Sequence, residues 1–194
     1  MDNVNRPIFF WLVALLLVPS FAWAQAGPTA PVDVVFMTSL GEIDVQLDPA
    51  HAPVTTANFL AYVDKKFYDG TIFHRVIRGF VAQGGGFTPG MVAKPPLFPP
   101  IKNESDNGLN HYFGTIAMAR TADLNSATSQ FFFVLGDHLE LDANTHGPGY
   151  AVFGKITKGI DVLFKIQDVP TATVGQNEDV PVTPVLLISV TRAK

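Results

Sequence analysis

The stretch Phe73-His-Arg-Val-Ile-Arg-Gly-Phe-Val-Ala-Gln-Gly-Gly-Gly-Phe87 decides the fold, because it combines β-forming side chains, arginines and a glycine run in one short segment. If residues 73–76 form a strand, side-chain alternation places Phe73 and Arg75 on the same face. A guanidinium group beside aromatic surface is an unusual place for a charge. Arg75 is therefore a candidate functional residue, although the spacing also fits a surface ion pair at a barrel rim.

Strand patterns lie on both sides of this stretch. A strand, a turn and a second strand are predicted over 32–47, where Ile43, Val45 and Leu47 share one face by strict alternation. Further strands are predicted at 114–119, 129–135, 150–156 and 184–191. Within the run 129–135, Phe132 points to the opposite face from Phe131 and Phe133, and the latter two are expected in the core.

Two amphipathic helices accompany the strands. The first follows Pro53 and ends at Asp64, and its expected apolar side chains are Val54, Phe59, Leu60 and Val63. The second covers 159–166, and its expected apolar side chains are Ile160, Leu163 and Phe164. A proline- and asparagine-rich loop is predicted at 91–110. Many strands, two helices and 16 glycines predict a mainly β fold, a barrel capped by helices.

Composition limits the function classes. The 194 residues carry a formal net charge of -4, so no basic field attracts nucleic acid or anionic lipid, and neither is an expected partner. The absence of cysteine excludes disulfides, thiolate nucleophiles and cysteine-ligated zinc. The length suits a single domain.

The N-terminus resembles a secretory signal peptide. Arg6 precedes the apolar run 8–18, Pro19 breaks the helix, and small residues follow at 22, 24 and 26. The run is shorter than a membrane span, although a retained anchor is the alternative. We expect a signal peptide at 1–26, cleaved after Ala24 or Ala26, and a mature domain at 27–194 that has no membrane contact after cleavage.

Other catalytic chemistries find little support in the sequence. The run 84–86 lacks the spacing of a phosphate-binding loop, and no serine lies in a nucleophile-elbow context. No metal site is expected, because the histidines show no helical pairing with a carboxylate; they are His51, His74, His111, His138 and His146. No cofactor is predicted.

Several motifs in order carry a family resemblance. The stretch 73–87 is followed by Gly114-Thr-Ile-Ala-Met-Ala119, by Ser129-Gln-Phe-Phe132 and by Val152-Phe-Gly-Lys155. Together they resemble the cyclophilin-type peptidyl-prolyl cis/trans isomerases over residues 32–191. The segments 118–123 and 126–130 and the loop 94–108 resemble the exported bacterial branch, which implies the periplasm.

The resemblance implies a closed eight-stranded antiparallel barrel with a helix at each open end and a substrate groove on the outside. Arg75 matches the catalytic arginine, and Tyr150 takes the place of a pocket histidine found in many eukaryotic members. The matching substrate-binding positions are Phe80, Val81, Gln83, Ala119, Arg120, Gln130, Phe132 and Leu141. Val81 replaces a more usual methionine, and Arg120 stands where eukaryotic relatives often have asparagine.

The implied function is rotation about X-Pro bonds in unfolded or folding exported proteins, carried out by a monomer. The alternative is a non-catalytic chaperone or assembly module that holds proline-containing segments on the same fold. A further rival is an interaction protein that acts through the loop 94–110. Glu140 departs from the family, since it occupies the position of a tryptophan or, in bacterial relatives, often a phenylalanine, and in drug-sensitive members that tryptophan donates a hydrogen bond to cyclosporin. We therefore expect weak cyclosporin binding.

Overall fold

The computed structural model describes residues 29–144 and 147–193. The predicted signal peptide, residues 1–26, lies outside the described residues, and so does His146. The described strands are β1 Val32–Thr38, β2 Gly41–Leu47, β3 Thr71–Ile77, β4 Val81–Gly84, β5 Phe87–Thr88, β6 Val92–Ala93, β7 Thr115–Met118, β8 Phe131–Val134, β9 Val152–Lys158, β10 Thr171–Val174, β11 Asn177–Pro181 and β12 Val185–Arg192. The helices are α1 Pro53–Asp64 and α2 Ile160–Gln167, and a 3-10 helix covers Leu139–Leu141.

Eight strands form a closed barrel in the order β1-β12-β3-β4-β8-β7-β9-β2. Every neighbouring pair in this ring is antiparallel. Closure leaves no unpaired edge in the ring. The other described strands form two hairpins, β5 with β6 and β10 with β11. The predicted mainly β architecture, a closed antiparallel barrel with two helices, is confirmed.

Strict alternation along β1 and β2 fills the barrel interior. Val34 and Phe36 of β1 are fully buried, and so are Ile43, Val45 and Leu47 of β2, while most residues between them remain partly exposed. One face of each strand therefore meets the core and the other faces outward. The expectation that the three β2 residues share a buried face is confirmed.

Aromatic rings make up much of the core. The ring of Phe36 lies 5.9 Å from Phe59, 5.5 Å from Phe131 and 5.3 Å from Phe133, measured between centroids. The contacts to Phe131 and Phe133 are edge-to-face, an arrangement that aromatic quadrupoles favour. Phe131 and Phe133 are fully buried, as predicted for this face of β8.

Helix α1 begins at Pro53, as predicted, and a distant carboxylate caps it. The backbone N–H groups of Val54 and Thr55 donate to the two carboxylate oxygens of Glu104, at 3.0 and 2.8 Å. Glu104 belongs to the long loop after β6, so this loop stabilises the helix start. Phe59 is buried, but Val54, which was predicted on the same apolar side, is 41% exposed. The Val54 prediction is wrong because the first turn directs Thr55 and Thr56 to the interior instead, and both are fully buried.

The second helix buries Leu163, as predicted, but not Phe164. Val162, Leu163 and Ile166 are buried, whereas Phe164 is 47% exposed. The prediction for Phe164 is wrong. Val162, Leu163 and Ile166 also lie on one side of a helix, so the spacing alone could not decide which side faces the core. The ring of Phe164 instead stacks on Phe113 at 5.3 Å.

The hairpin of β10 and β11 was not predicted. Its turn contains Gly175, which has a φ of 62°, followed by Gln176. A glycine and one polar residue after the β-rich run of β10 are a known hairpin signal, but β11 consists mainly of residue types that are depleted in strands, so the sequence contained only half of the signal. Within 29–144 and 147–193, the structure has no helix of the length and apolarity needed to cross a membrane.

Candidate active site

A second apolar cluster lies apart from the barrel core, on the outer face of β4, β7, β8 and β9. Its buried members are Val81, Ala117, Phe132, Val134 and Val152. Partly buried side chains surround them, namely Phe80, Leu109, Ala119, Leu141 and Tyr150. The structure thus brings together all the apolar residues that the family resemblance indicated. It adds others that sequence reasoning missed, of which Val134 could have been found by its alternation with Phe132.

Strand register places a cation, an amide and an aromatic ring in one row. Arg75 of β3 is paired with Gln83 of β4, and Gln83 is paired with Phe132 of β8. Phe132 is in turn paired with Ala117 of β7. Because neighbouring strands lie about 4.8 Å apart, Arg75 and Phe132 are separated by roughly 10 Å along this row. A hydrogen-bond donor and an apolar cluster therefore lie within reach of one dipeptide.

A β-bulge in β3 turns Arg75 to the outer face. Phe73 is paired with Gly84, whereas Arg75 is paired with Gln83, so two steps along β3 match one step along β4. Phe73 is fully buried in the core, and the Arg75 side chain is 39% exposed. The prediction that Phe73 and Arg75 share a face is wrong, because the extra residue, His74, reverses the alternation between them.

Arg75 lines a groove between the barrel and the β10–β11 hairpin. The groove has a volume of about 330 Å³, and its lining residues are His74, Arg75, Gln83, Phe87, Gln176, Asn177 and Glu178. The Arg75 Nε lies 3.8 Å from the Asp179 Oδ2. Asp179 has a φ of 58°, an uncommon conformation that aspartate tolerates better than most residues. The surface ion pair considered from the sequence is thus present.

Gln83 and Gln130 form the polar edge between Arg75 and the pocket. The Gln83 Nε2 donates to the Gln130 Oε1 at 2.8 Å. A Cβ atom at Gly86 would lie 2.5 Å from the Gln130 Nε2, so glycine is required for the Gln130 side chain to pass. This close approach gives part of the glycine run a steric role.

Arg120 and Ala119 border the cluster on another side. The Arg120 guanidinium lies 4.7 Å from the Tyr150 ring centroid and donates to the carbonyl oxygens of Pro148 and Gly149. These contacts hold the side chain against Tyr150. The Ala119 N–H donates to the Gln130 carbonyl oxygen at 2.9 Å.

A histidine that sequence reasoning missed lies beneath the pocket. His111 is fully buried, and its ring lies nearly parallel to Phe132, 5.9 Å away. The His111 Nδ1 is 2.6 Å from the Asp142 Oδ1, which also accepts from the His111 backbone N–H. Burial lowers the pKa of His111, although the hydrogen bond to Asp142 opposes this effect. No spacing in the sequence links these two residues.

A second missed histidine lies at the pocket edge. The ring of His138 contacts Phe80 edge-on at 4.9 Å, and its nitrogens lie 2.6 Å from the Gly79 carbonyl oxygen and 2.7 Å from the Glu140 Oε1. Burial alone would lower the pKa of His138, but the acceptors at Gly79 and Glu140 raise it overall.

The arrangement suits binding and polarisation of a substrate rather than covalent chemistry. The partly buried side chains of the cluster offer an apolar surface for a ring, and the neighbouring guanidinium and amides can hydrogen-bond a peptide backbone. Within the part of the chain that the structure describes, no group of three or more histidine, aspartate or glutamate side chains is placed to hold a metal ion.

Comparison with known proteins agrees with this geometry. Residues 33–192 match the family described as cyclophilin type peptidyl-prolyl cis-trans isomerase/CLD. The chain is 46% identical over 186 residues to peptidyl-prolyl cis-trans isomerase A of Dickeya dadantii, covering 96% of this chain and 97% of that protein. It is 51% identical over 166 residues to a peptidyl-prolyl cis-trans isomerase of Acinetobacter baylyi, covering 86% and 88%.

A solved structure shares the fold. The crystal structure of a cyclophilin type peptidyl-prolyl cis-trans isomerase from Cryptosporidium parvum matches with a TM-score of 0.74 at 24% identity, and the match covers 85% of this chain and 99% of that chain. Both the match over 33–192 and the extent of the bacterial similarities fit the barrel and its outer cluster. This chain belongs to the cyclophilin family of peptidyl-prolyl cis-trans isomerases.

Proposed function

We propose that this isomerase acts on X-Pro bonds of exported proteins and that the row from Arg75 to Phe132 is its active site. The observation that carries the proposal is the strand register, which sets Arg75, Gln83 and Phe132 side by side on the outer barrel face. An outer face leaves room for a polypeptide to cross the site from either end.

The reaction requires rotation about one bond and no bond cleavage. The peptide C–N bond has partial double-bond character, and its rotational barrier is about 18–20 kcal/mol. Uncatalysed X-Pro exchange consequently takes tens to hundreds of seconds. An enzyme accelerates it by binding the twisted amide more tightly than either planar form.

Arg75 is suited to bind that twisted amide. Twisting removes the proline nitrogen from conjugation and localises its lone pair, so a hydrogen-bond donor directed at this nitrogen favours the transition state. A guanidinium donates at every physiological pH because it does not lose its proton. The outer-face position and the 39% exposure of the Arg75 side chain allow contact with a bound peptide.

The apolar cluster is suited to hold the proline ring. Phe132 is 5% exposed and Val81 is 4% exposed, so they form the base of the cluster, and a bound proline ring would lie over them between the partly buried side chains at its edge. Leu141, Phe80 and Tyr150 are the expected walls. A ring held there leaves the preceding carbonyl free to turn, which confines rotation to one bond.

The test is the isomerisation rate of an X-Pro peptide with Arg75→Ala and with Arg78→Ala as the matched control. Arg78 is a neighbouring arginine whose side chain is 75% exposed and pairs with Asp168 instead. Arg75→Ala should lower kcat/KM by about a hundredfold, the effect of removing one preorganised donor, while Arg78→Ala retains the parent rate. Parent turnover in a folded Arg75→Ala variant would refute the assignment.

The same assay separates catalysis from the rival function of a non-catalytic chaperone. A pure binder has no requirement for a donor at the proline nitrogen, so its peptide affinity and its effect on refolding would survive Arg75→Ala. An isomerase instead loses turnover in that variant, and its circular dichroism spectrum shows that the barrel is still folded.

The proposed compartment is the periplasm, and the proposed mature domain covers 27–194. Support comes from the sequence Arg6, the apolar run 8–18, Pro19 and the alanines at 24 and 26. Intact-mass measurement of protein from the envelope fraction should give a chain that begins at Gln25 or Gly27. A retained Met1 would instead favour an anchor.

A further inference from the structure

The rim of the apolar cluster carries one carboxylate that projects into solvent. Glu140 lies in the 3-10 helix Leu139–Leu141, next to Leu141, which packs against the cluster. The Glu140 side chain is 65% exposed. When the proline of a bound peptide lies on the cluster beside Leu141, the residues on either side of that proline would therefore lie near the negative charge of Glu140.

His138 fixes the position of that carboxylate. Its Nε2 lies 2.6 Å from the Gly79 carbonyl oxygen and its Nδ1 lies 2.7 Å from the Glu140 Oε1, while its ring rests against Phe80. A carbonyl oxygen and a carboxylate oxygen can only accept, so both ring nitrogens must carry protons in this geometry. The pair is thus an imidazolium and a carboxylate, and their charges offset each other.

Deprotonation of His138 would release the Glu140 charge. The Gly79 carbonyl retains the Nε2 proton, so the proton leaves from Nδ1, and the remaining lone pair then faces the carboxylate. The contact is lost, and Glu140 becomes available to a cation. The pKa of His138 is raised overall despite its partial burial, which fits this protonated state.

The other charged groups near His138 are already engaged. Asp137 accepts from the Phe113 backbone N–H at 3.0 Å. Asp142 accepts from His111 at 2.6 Å. Glu140 is therefore the carboxylate of this segment, residues 137–142, whose partner is removed when His138 loses a proton.

We propose that Glu140, held by His138, is a charge-selective subsite for proline segments that carry a lysine or arginine next to the proline, and that the selectivity strengthens as pH rises. The proposal rests on the proposed function, because it requires the cluster around Phe132 and Leu141 to hold the proline ring. While His138 is protonated, its charge offsets that of Glu140. Once His138 is neutral, the Glu140 charge is no longer offset, whereas Asp137 keeps the same backbone donor in both states.

The test compares kcat/KM for three peptides that differ only beside the proline, where lysine, norleucine or glutamate is placed first before and then after it. Each is measured at low salt near pH 5.5 and near pH 9, because the pKa of His138 lies above the ordinary histidine value. At the higher pH the lysine peptide should react about threefold faster than the norleucine peptide, the scale of an exposed ion pair. At the lower pH the ratio should approach one.

Two variants and a control identify the residues. Glu140→Gln should bring the lysine-to-norleucine ratio to about one at both pH values, because it removes the charge. His138→Gln should keep the preference but lose its pH dependence. Glu42→Gln removes a carboxylate on β2 that pairs with Lys158, and it should retain the parent ratios.

The outcomes separate this inference from the proposed function. Absence of turnover on every peptide refutes the proposed function itself. Turnover on the norleucine peptide with a ratio of one at the higher pH, or a ratio that survives Glu140→Gln, refutes the subsite alone.

Discussion

His74 is a buried titratable group whose protonation should destabilise the fold. It is 7% exposed, its ring lies 4.5 Å from Phe87, and its Nδ1 has no hydrogen-bond partner among the described residues. Burial, and then the neighbouring Arg75, lower the pKa of His74 from its ordinary 6.5 to about 4. The folded protein therefore keeps this side chain neutral under conditions in which the unfolded chain protonates it.

The sign and size of the effect follow from this difference. The His74 pKa is depressed on folding, so its contribution to stability is complete above the ordinary pKa and is lost as pH falls toward the folded value. A shift from 6.5 to about 4 corresponds to about 3 kcal/mol of unfolding free energy. Most of this loss should be complete near pH 4.5.

Urea unfolding followed by far-ultraviolet circular dichroism near pH 7.5 and near pH 4.5 tests this reasoning. His74→Phe and His74→Gln should each lose less stability on acidification than the parent, by about 2 to 3 kcal/mol. His51→Gln removes a histidine whose side chain is 56% exposed, and it should match the parent. Equal acid losses in the parent and in both His74 variants would refute the assignment, whatever other groups titrate.

Two further predictions concern the site. Asp179→Asn should lower kcat for an X-Pro peptide about threefold, because it removes the carboxylate 3.8 Å from the Arg75 Nε, and the difference should shrink at high salt, which screens exposed pairs. A rate that rises in this variant would show that Asp179 restrains Arg75 instead. Glu140→Trp should strengthen cyclosporin inhibition of peptide isomerisation, because the indole supplies the donor that the exposed carboxylate lacks. Strong inhibition of the parent would show that position 140 does not govern the drug site.

The barrel and the outer pocket could be predicted because alternation carries local information. The strands around Ile43 and Phe132 were predicted with the correct faces, since a period of two separates inside from outside along any regular strand. The bulge at His74 could not be predicted, because the residue types around it do not show that one residue of β3 has no partner in β4. The same rule therefore failed for Phe73 and Arg75.

Contacts between distant segments explain the remaining differences. Glu104 caps α1 from a loop about 50 positions away, and His138 reaches Gly79 across 59 positions. Neither pairing follows from the spacing of residues within one element, because tertiary packing alone brings the partners together. For this reason the hydrogen bonds around the cluster could not be predicted from the sequence. Its apolar members could be assigned, because they lie in the family motifs.

The three consecutive phenylalanines of β8 have a consequence for strand pairing during folding. A shift of one residue normally exposes a strand's apolar side chains, and this penalty fixes its alignment with its neighbours. In β8 both faces carry phenylalanine at the centre, so a shifted Phe132 could enter the interior in place of Phe131 at little apolar cost. The alignment must then be enforced by the polar residue that precedes the strand, since a shift would separate Gln130 from Gln83. A misaligned chain could therefore still bury apolar side chains, Phe132 and Val134, in the interior and yet lack the substrate groove.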